Sequence, residues 1–290
     1  MSVFAHPFMQ YALLGALITG LAAPALGTYL VQRRMALIGD GIGHVALTGV
    51  AVGLLTRGEP VLTAMLVAAA GAVAIEVVRA RGRTTGDIAL AVMFYGGIAG
   101  GVFLVNLSPS YTNANLIAYL FGSPLTTTTA DLWLMAGLAG GILAVSLGLR
   151  PWLFAVCHDE EYARVSGLPV RALNLVLAVT TAVTVTVAMR AVGLLLVSAL
   201  MVVPVATAQL LARGFRTTQQ LAMGIGLVVS GAGIVVAGVF DTAPGATIVL
   251  LAIAAFVAAS IAVAAWRRLR PRWAPGEAGV VVEPTEVVRE

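Results

Sequence analysis

Charge is what this chain has least of. Only 10% of its 290 residues are Asp, Glu, Lys or Arg, against about a quarter in soluble domains. Lysine is absent, so all 17 basic residues are arginine. Cysteine is nearly absent: Cys157 stands alone, which excludes an intrachain disulfide and any cysteine-built zinc cage. Aromatics supply only 7%, yet 60% of the chain is hydrophobic, so the apolar mass lies in Ala, Val, Leu, Ile and Met. A soluble fold of this length could not hide that surface behind so few charges. The balance excludes a soluble enzyme, a nucleic-acid reader and a disordered chain. What is present is long apolar runs, and they predict an all-α, polytopic transmembrane bundle.

Crossing about 30 Å of hydrocarbon takes roughly 20 apolar residues at 1.5 Å each. Nine segments approach that length: 9–31, 35–56, 61–78, 88–105, 132–149, 172–189, 191–212, 221–240 and 245–266. The join at 189–193 is very tight and two segments are short, so the expected count is eight to nine. Unbroken runs exclude a barrel, whose strands alternate over about ten residues. Arg33, Arg34, Arg79, Arg81, Arg83, Arg150, Arg164, Arg171, Arg213, Arg216 and the arginines of 267–272 fall in alternate connections, while the others hold only Arg57 and Arg190. The positive-inside rule makes the rich set cytoplasmic, with the C-terminus inside and, for nine spans, the N-terminus outside. No basic n-region precedes the first run, so no cleavable signal is expected. Residues 1–270 read as one transmembrane domain. The stretch 271–290, with three prolines and four acids, reads as a polar, disordered tail. The polar stretch 106–131 reads as an external loop in which LIAYLF forms a surface or re-entrant helix, or serves as a plain linker. Glycine pairs four apart, Gly96/Gly100, Gly97/Gly101 and Gly137/Gly141, suggest close helix packing.

An ionisable group inside a span is costly and marks a functional candidate. Asp40 and His44 stand in GDGIGHVALTGVAVG. Four apart on a helix, they share a face about 6 Å apart along the axis, where a carboxylate and an imidazole can share a divalent cation. A helix-start Asp beside a hydrogen-bonded His gives the same pattern. Two ligands make half a tight site, and a dimer partner would supply two more. Neutral imidazole is the coordinating form, so cation binding is expected to weaken as His44 protonates. Glu76 reads as a paired partner of Arg79, Asp87 as a helix-start residue, and Asp241 in FDTAPGA as a turn former or a cation attractor at an outer mouth. His6 and His158 have no ligand pattern around them. No HExxH, GxSxG or P-loop occurs, so no catalytic residue is assigned and nucleotide hydrolysis belongs to another chain. Residues 150–171 hold Asp159, Glu160 and Glu161, then Tyr-Ala-Arg-Val and Gly167-Leu-Pro169. This is a short amphipathic helix stopped by Gly and Pro, placed for docking a soluble partner, or else an ordinary solvated loop.

Taken in order, RRMALIGDGIGHVALTGVAVG, LIAYLFG, DEEYARVSGL, VGLLLVSALMVVPVATAQLLA and FDTAPGATIVLL resemble the permease subunits of the metal-ion ABC importers for zinc, manganese or iron. The resemblance runs to about residue 265. It implies a fold like the vitamin B12-type (type II) importer permeases with fewer helices, and a multi-pass place in the cytoplasmic membrane, among lipid. Asp40 and His44 match the family's metal pathway, and Asp159 to Gly167, within a coupling segment of about 156–170, match its ATPase coupling helix. Asp87 and Asp241 match recurring positions without an assigned ligand role. Implied partners are an ABC ATPase, an external metal-binding protein and a second permease chain as a homodimer. The wording of LIAYLFG and FDTAPG leans to the zinc branch, with Zn²⁺ as transported substrate and no permanently bound cofactor; manganese or iron is the alternative. Phe94-Tyr95-Gly96 stands where some zinc members carry His. An ion-gradient-driven secondary transporter would need more intramembrane relays, an intramembrane metalloprotease lacks its motif, and a structural membrane anchor would need neither Asp40 nor His44.

Overall fold

Inside hydrocarbon every backbone N–H and C=O must find a partner within the protein, so long runs of Ala, Leu, Val, Ile and Gly settle as helices. The computed structural model describes residues 7–80, 86–107 and 128–269, and among them are eleven helices and no strand. They are α1 (Pro7–Gln32), α2 (Ile38–Leu55), α3 (Pro60–Ala80), α4 (Gly86–Asn106), α5 (Thr129–Gly148), α6 (Arg150–His158), α7 (Glu160–Val165), α8 (Val170–Val192), α9 (Leu194–Leu211), α10 (Phe215–Phe240) and α11 (Pro244–Leu269). The tail 271–290 and most of the 106–131 stretch, with LIAYLF, lie outside the described residues.

Local chemistry sets the boundaries. Pro60 and Pro244 open α3 and α11, a position where the missing N–H costs nothing. Thr128 and Asp131 close a reciprocal capping box on α5. Gly193, at φ 89°, separates α8 from α9. The seventh predicted segment thus begins at Leu194, and α9 has the same 18 residues as α2. Eight other helices among the described residues have span length and composition.

α1, α2 and α8 are mostly buried, whereas α4, α5 and α11 present mostly exposed apolar faces suited to lipid. Backbone contact, more than side-chain volume, holds α1 in the centre. A Cβ on Gly226 of α10 would stand 2.1 Å from Gly20 O of α1, so only glycine fits. Pro24, within α1, has no N–H to offer that Gly20 carbonyl, which leaves it facing α10. Likewise a Cβ on Gly27 would meet Met201 O of α9 at 1.9 Å. Of the predicted glycine pairs, Gly97 and Gly101 do pack on α2 and Gly100 lies near Thr48, but Gly96, Gly137 and Gly141 meet nothing within 4 Å.

One end of the bundle gathers the charged connections. There Arg33 after α1, Arg79 of α3 and Glu160 of α7 form ion pairs. Gln32, His158 and Arg213 line one cavity of about 290 Å³ at the same end. Glu76 pairs with Arg79 through two hydrogen bonds of 2.8 and 3.1 Å, as its three-residue spacing predicts.

Candidate functional site

α2 begins among other helices, because its glycines let them close in. A Cβ on Gly39 would lie 3.5 Å from Ser198 Oγ and 3.4 Å from Met201 Sδ of α9. On Gly43 it would strike Leu194 Cδ1 at 1.9 Å and approach Val185 of α8. Between these glycines stands Asp40, half-buried, with the α2 N-terminus favouring its negative charge. It lines a cavity of about 610 Å³ between α2, the α8–α9 junction and the start of α11. Apart from Ser198, every other lining side chain among the described residues is apolar or glycine, including Leu37, Leu196, Val202 and Val249.

His44 sits one turn along α2. Its ring meets Phe94 of α4 edge-on, centroids 4.5 Å apart, and its backbone is covered by Gly97, where a Cβ would be 2.6 Å from the His44 carbonyl carbon. His44 Nδ1 is buried without a hydrogen-bond partner, and so is Ser198 Oγ. Orphaned buried polar atoms are uncommon and call for a reason; a ring nitrogen with no donor or acceptor is free to meet a ligand. Asp40 acts on His44 electrostatically, so the two are neighbours as the spacing predicts, although the cavity lining includes Asp40 and not His44. Among the described residues no group of three His, Cys, Asp or Glu side chains gathers. Asp40 and His44 are thus two candidate donors side by side, with no third beside them among the described residues.

The other expected residues separate. Asp241 caps α10 in the left-handed region, φ 51°, ψ 46°, exposed in the turn before Gly245 and Ala246 of the cavity. Asp87 lies in the first turn of α4, and its side chain is outside the described residues. In the acidic segment, Asp159 caps α7 by accepting from Tyr162 N at 2.9 Å. Gly167, at φ 80°, ends it: Leu168 N donates to Ala163 O and Gly167 N to Arg164 O, the paired bonds of a Schellman turn. Glu161, Tyr162, Val165 and Gly167 face outward, Val165 at 88% exposure. Glu160 does not. Its Oε2 accepts from Arg33 and Arg79 at 3.3 Å each and its Oε1 from Arg164 at 3.1 Å, so it binds the segment to the bundle.

Two features escaped the sequence reading. Ser198 gave no signal, being one serine in an apolar run. Tyr29 donates to Ser146 O, while Gln219 Nε2 donates to Ala25 O at 2.9 Å and Ser146 Oγ at 3.1 Å. This buried network joins α1, α5 and α10. Polar residues on apolar helices were its only hint.

The model of the ABC 3 transport family matches residues 5–263. The chelated iron transport system membrane protein YfeD of Yersinia pestis is 32% identical over 89% of this chain and 86% of its own length. The manganese transport system membrane protein MntC of Halalkalibacterium halodurans is 30% identical over 89% and 88%. Among solved structures, PsaBC from Streptococcus pneumoniae in complex with Fab is similar at a TM-score of 0.77 and 28% identity, covering 89% of this chain and 92% of that one. An all-helical, multi-pass membrane chain matched over residues 5–263 belongs to the ABC 3 transport family.

Proposed function

We propose that this chain is the permease subunit of an ABC importer for a divalent transition-metal ion. The observation that carries the reading is the Asp40–His44 pair at the start of α2: a carboxylate on a cavity whose described lining is apolar but for Ser198 and, one turn away, a buried imidazole nitrogen without a partner. One oxygen and one nitrogen donor suit Zn²⁺, Mn²⁺ or Fe²⁺. A site this sparse holds a cation loosely enough to release it. An external binding protein delivers the ion, and two permease chains as a homodimer enclose the path. The exposed Glu161–Gly167 face docks a separate ATPase, which hydrolyses ATP and drives alternation between outward- and inward-open states. The arginine-rich end is cytoplasmic, so the C-terminus is inside and the chain lies in the cytoplasmic membrane.

The FDTAPG wording supports zinc as the physiological ion. A second reading, manganese or iron, is favoured by what relatives such as MntC and YfeD are named for. The test is the reconstituted complex with its ATPase and binding protein, measured for ATP hydrolysis and uptake with Zn²⁺, Mn²⁺ and Fe²⁺ in turn. Zinc as the strongest stimulant supports the first reading, and manganese or iron replaces it. Asp40→Ala and His44→Ala are expected to cut metal-stimulated turnover at least about tenfold, the loss expected of about 1.4 kcal/mol in site affinity. Wild-type turnover in the double variant sinks the pathway. Uptake by the chain alone along an ion gradient would replace the ABC reading with a secondary transporter.

A further inference from the structure

We propose that the Glu160–Arg33 ion pair is a joint that carries movement of the α6–α7 segment to the floor of the Asp40 cavity. The joint rests on the permease reading above and adds its transmission path. Glu160 belongs to α7, whose other side presents Tyr162 and Val165 to a docked partner. Its Oε2 lies 3.3 Å from Arg33 Nη2 and 3.3 Å from Arg79 Nη2. One carboxylate oxygen thus holds the end of α1 and the end of α3 together. The Arg33 side chain is 6% exposed. A guanidinium so buried is costly unless paired, which makes the contact hard to slip.

From Arg33 the chain runs straight into the cavity. Arg34 takes a left-handed backbone, φ 59°. Met35 N donates to Leu30 O at 2.9 Å and Ile38 N to Met35 O at 3.1 Å. The connection between α1 and α2 is therefore a hydrogen-bonded turn with little slack. Its next residues, Ala36 and Leu37, line the cavity with Asp40, and Leu37 is 69% exposed there. A displacement of α7 applied through Glu160 moves Arg33, and the stiff turn passes it to Leu37 and Asp40. Arg79, tied to Glu76 by two hydrogen bonds, makes α3 follow. Leu37 is then the inner gate, an apolar side chain swung into or out of the ion's exit.

The test uses the reconstituted complex in vesicles, with Leu37→Cys as reporter in a Cys157→Ser background. A membrane-impermeant maleimide is added on the ATPase side, with and without a non-hydrolysable ATP analogue. The labelling rate at position 37 is expected to change about fivefold or more with nucleotide, the low end of ordinary coupling. That dependence should vanish in Glu160→Gln, together with a fall in ions moved per ATP hydrolysed, and should survive in Glu160→Asp. A Glu160→Gln complex that keeps the full nucleotide dependence overturns the joint. Should that variant not assemble, Arg33→Gln removes the same ion pair from its other side; it is expected to halve the dependence or worse, and wild-type behaviour overturns the joint. A wild-type complex with no metal-stimulated hydrolysis refutes the permease reading itself, which separates the two failures.

Discussion

Gly96 and Gly97 are neighbours on α4, yet alanine should be harmless at one and damaging at the other. A Cβ on Gly97 would stand 2.6 Å from the His44 carbonyl carbon, 2.7 Å from Val45 N and 2.9 Å from His44 O. All three are backbone atoms of α2 and cannot rotate aside. A Cβ on Gly96 meets nothing within 4 Å. Both positions lie inside α4, so each substitution gains the same helix propensity, about 0.8–1 kcal/mol, and this cancels in the comparison. What remains is the retreat of α4 from 2.6 Å to an ordinary contact of 3.4 Å or more, an overpacking cost of about 1–3 kcal/mol. The retreat stretches the 2.7 Å bond from Thr48 Oγ1 to Gly97 O and opens the His44–Phe94 contact, so metal response should weaken with stability. Thermal unfolding of the detergent-purified chain measures the first, at about 2–4 °C per kcal/mol for a chain of this size. Metal-stimulated ATP hydrolysis in the complex measures the second. Equal melting points for Gly96→Ala and Gly97→Ala would refute the close α2–α4 approach on which the placement of His44 depends.

Tyr29→Phe removes a buried donor from Ser146 O and should cost about 1–2 kcal/mol in denaturant unfolding while sparing metal-stimulated turnover; an unchanged midpoint would mean the network does not form. Burial lifts the Cys157 thiol to about 11, only partly opposed by Arg33 and Arg79. The folded chain then holds that proton longer than the unfolded one, so the associated stability is complete below the ordinary thiol range, about 8.5, and is lost as pH rises to about 11. Native-state alkylation of Cys157 should accelerate only as pH nears that upper value, and acceleration near pH 8.5 would contradict the burial. Asp241→Gly relieves a left-handed backbone at φ 51° and should leave stability unchanged or raise it by under about 1 kcal/mol. A higher half-saturating metal concentration in that variant would assign Asp241 a part in drawing cations to the mouth.

The helices were legible because hydrocarbon permits little else, and the Glu76–Arg79 pair because both residues share one helix face. The nearness of Asp40 and His44 was legible for the same reason. Contacts made across the chain were not. Glu160 reads as one acid among three in an exposed segment, yet its partners Arg33 and Arg79 stand 127 and 81 residues away. Four-residue glycine spacing is equal at Gly97/Gly101 and Gly137/Gly141, but a helix face becomes an interface only when another helix lies on it. Gly20 and Gly27 let α10 and α9 reach the α1 backbone, and their spacing does not single them out among 32 glycines.

The few charges are divided by what surrounds them, and that division separates scaffold from path. Glu160 is shared by three guanidiniums, so its charge is already neutralised and a passing cation has nothing to gain there. Asp40 lines a cavity whose described lining offers Ser198 as its one other polar side chain, and His44, a turn away, holds an unpartnered nitrogen. A carboxylate so placed is stabilised by an arriving cation far more than one in water. On the permease reading proposed above, with two such donors among the described residues of each chain, the cation is never fully enclosed, and a small shift in α2 relative to α9 is enough to change its coordination. Filling the cavity with further donors would deepen the well and slow exit. On that proposed reading, the poverty of charge around Asp40 is a condition for transport, and the wealth of charge around Glu160 is a condition for moving the helix that carries Asp40.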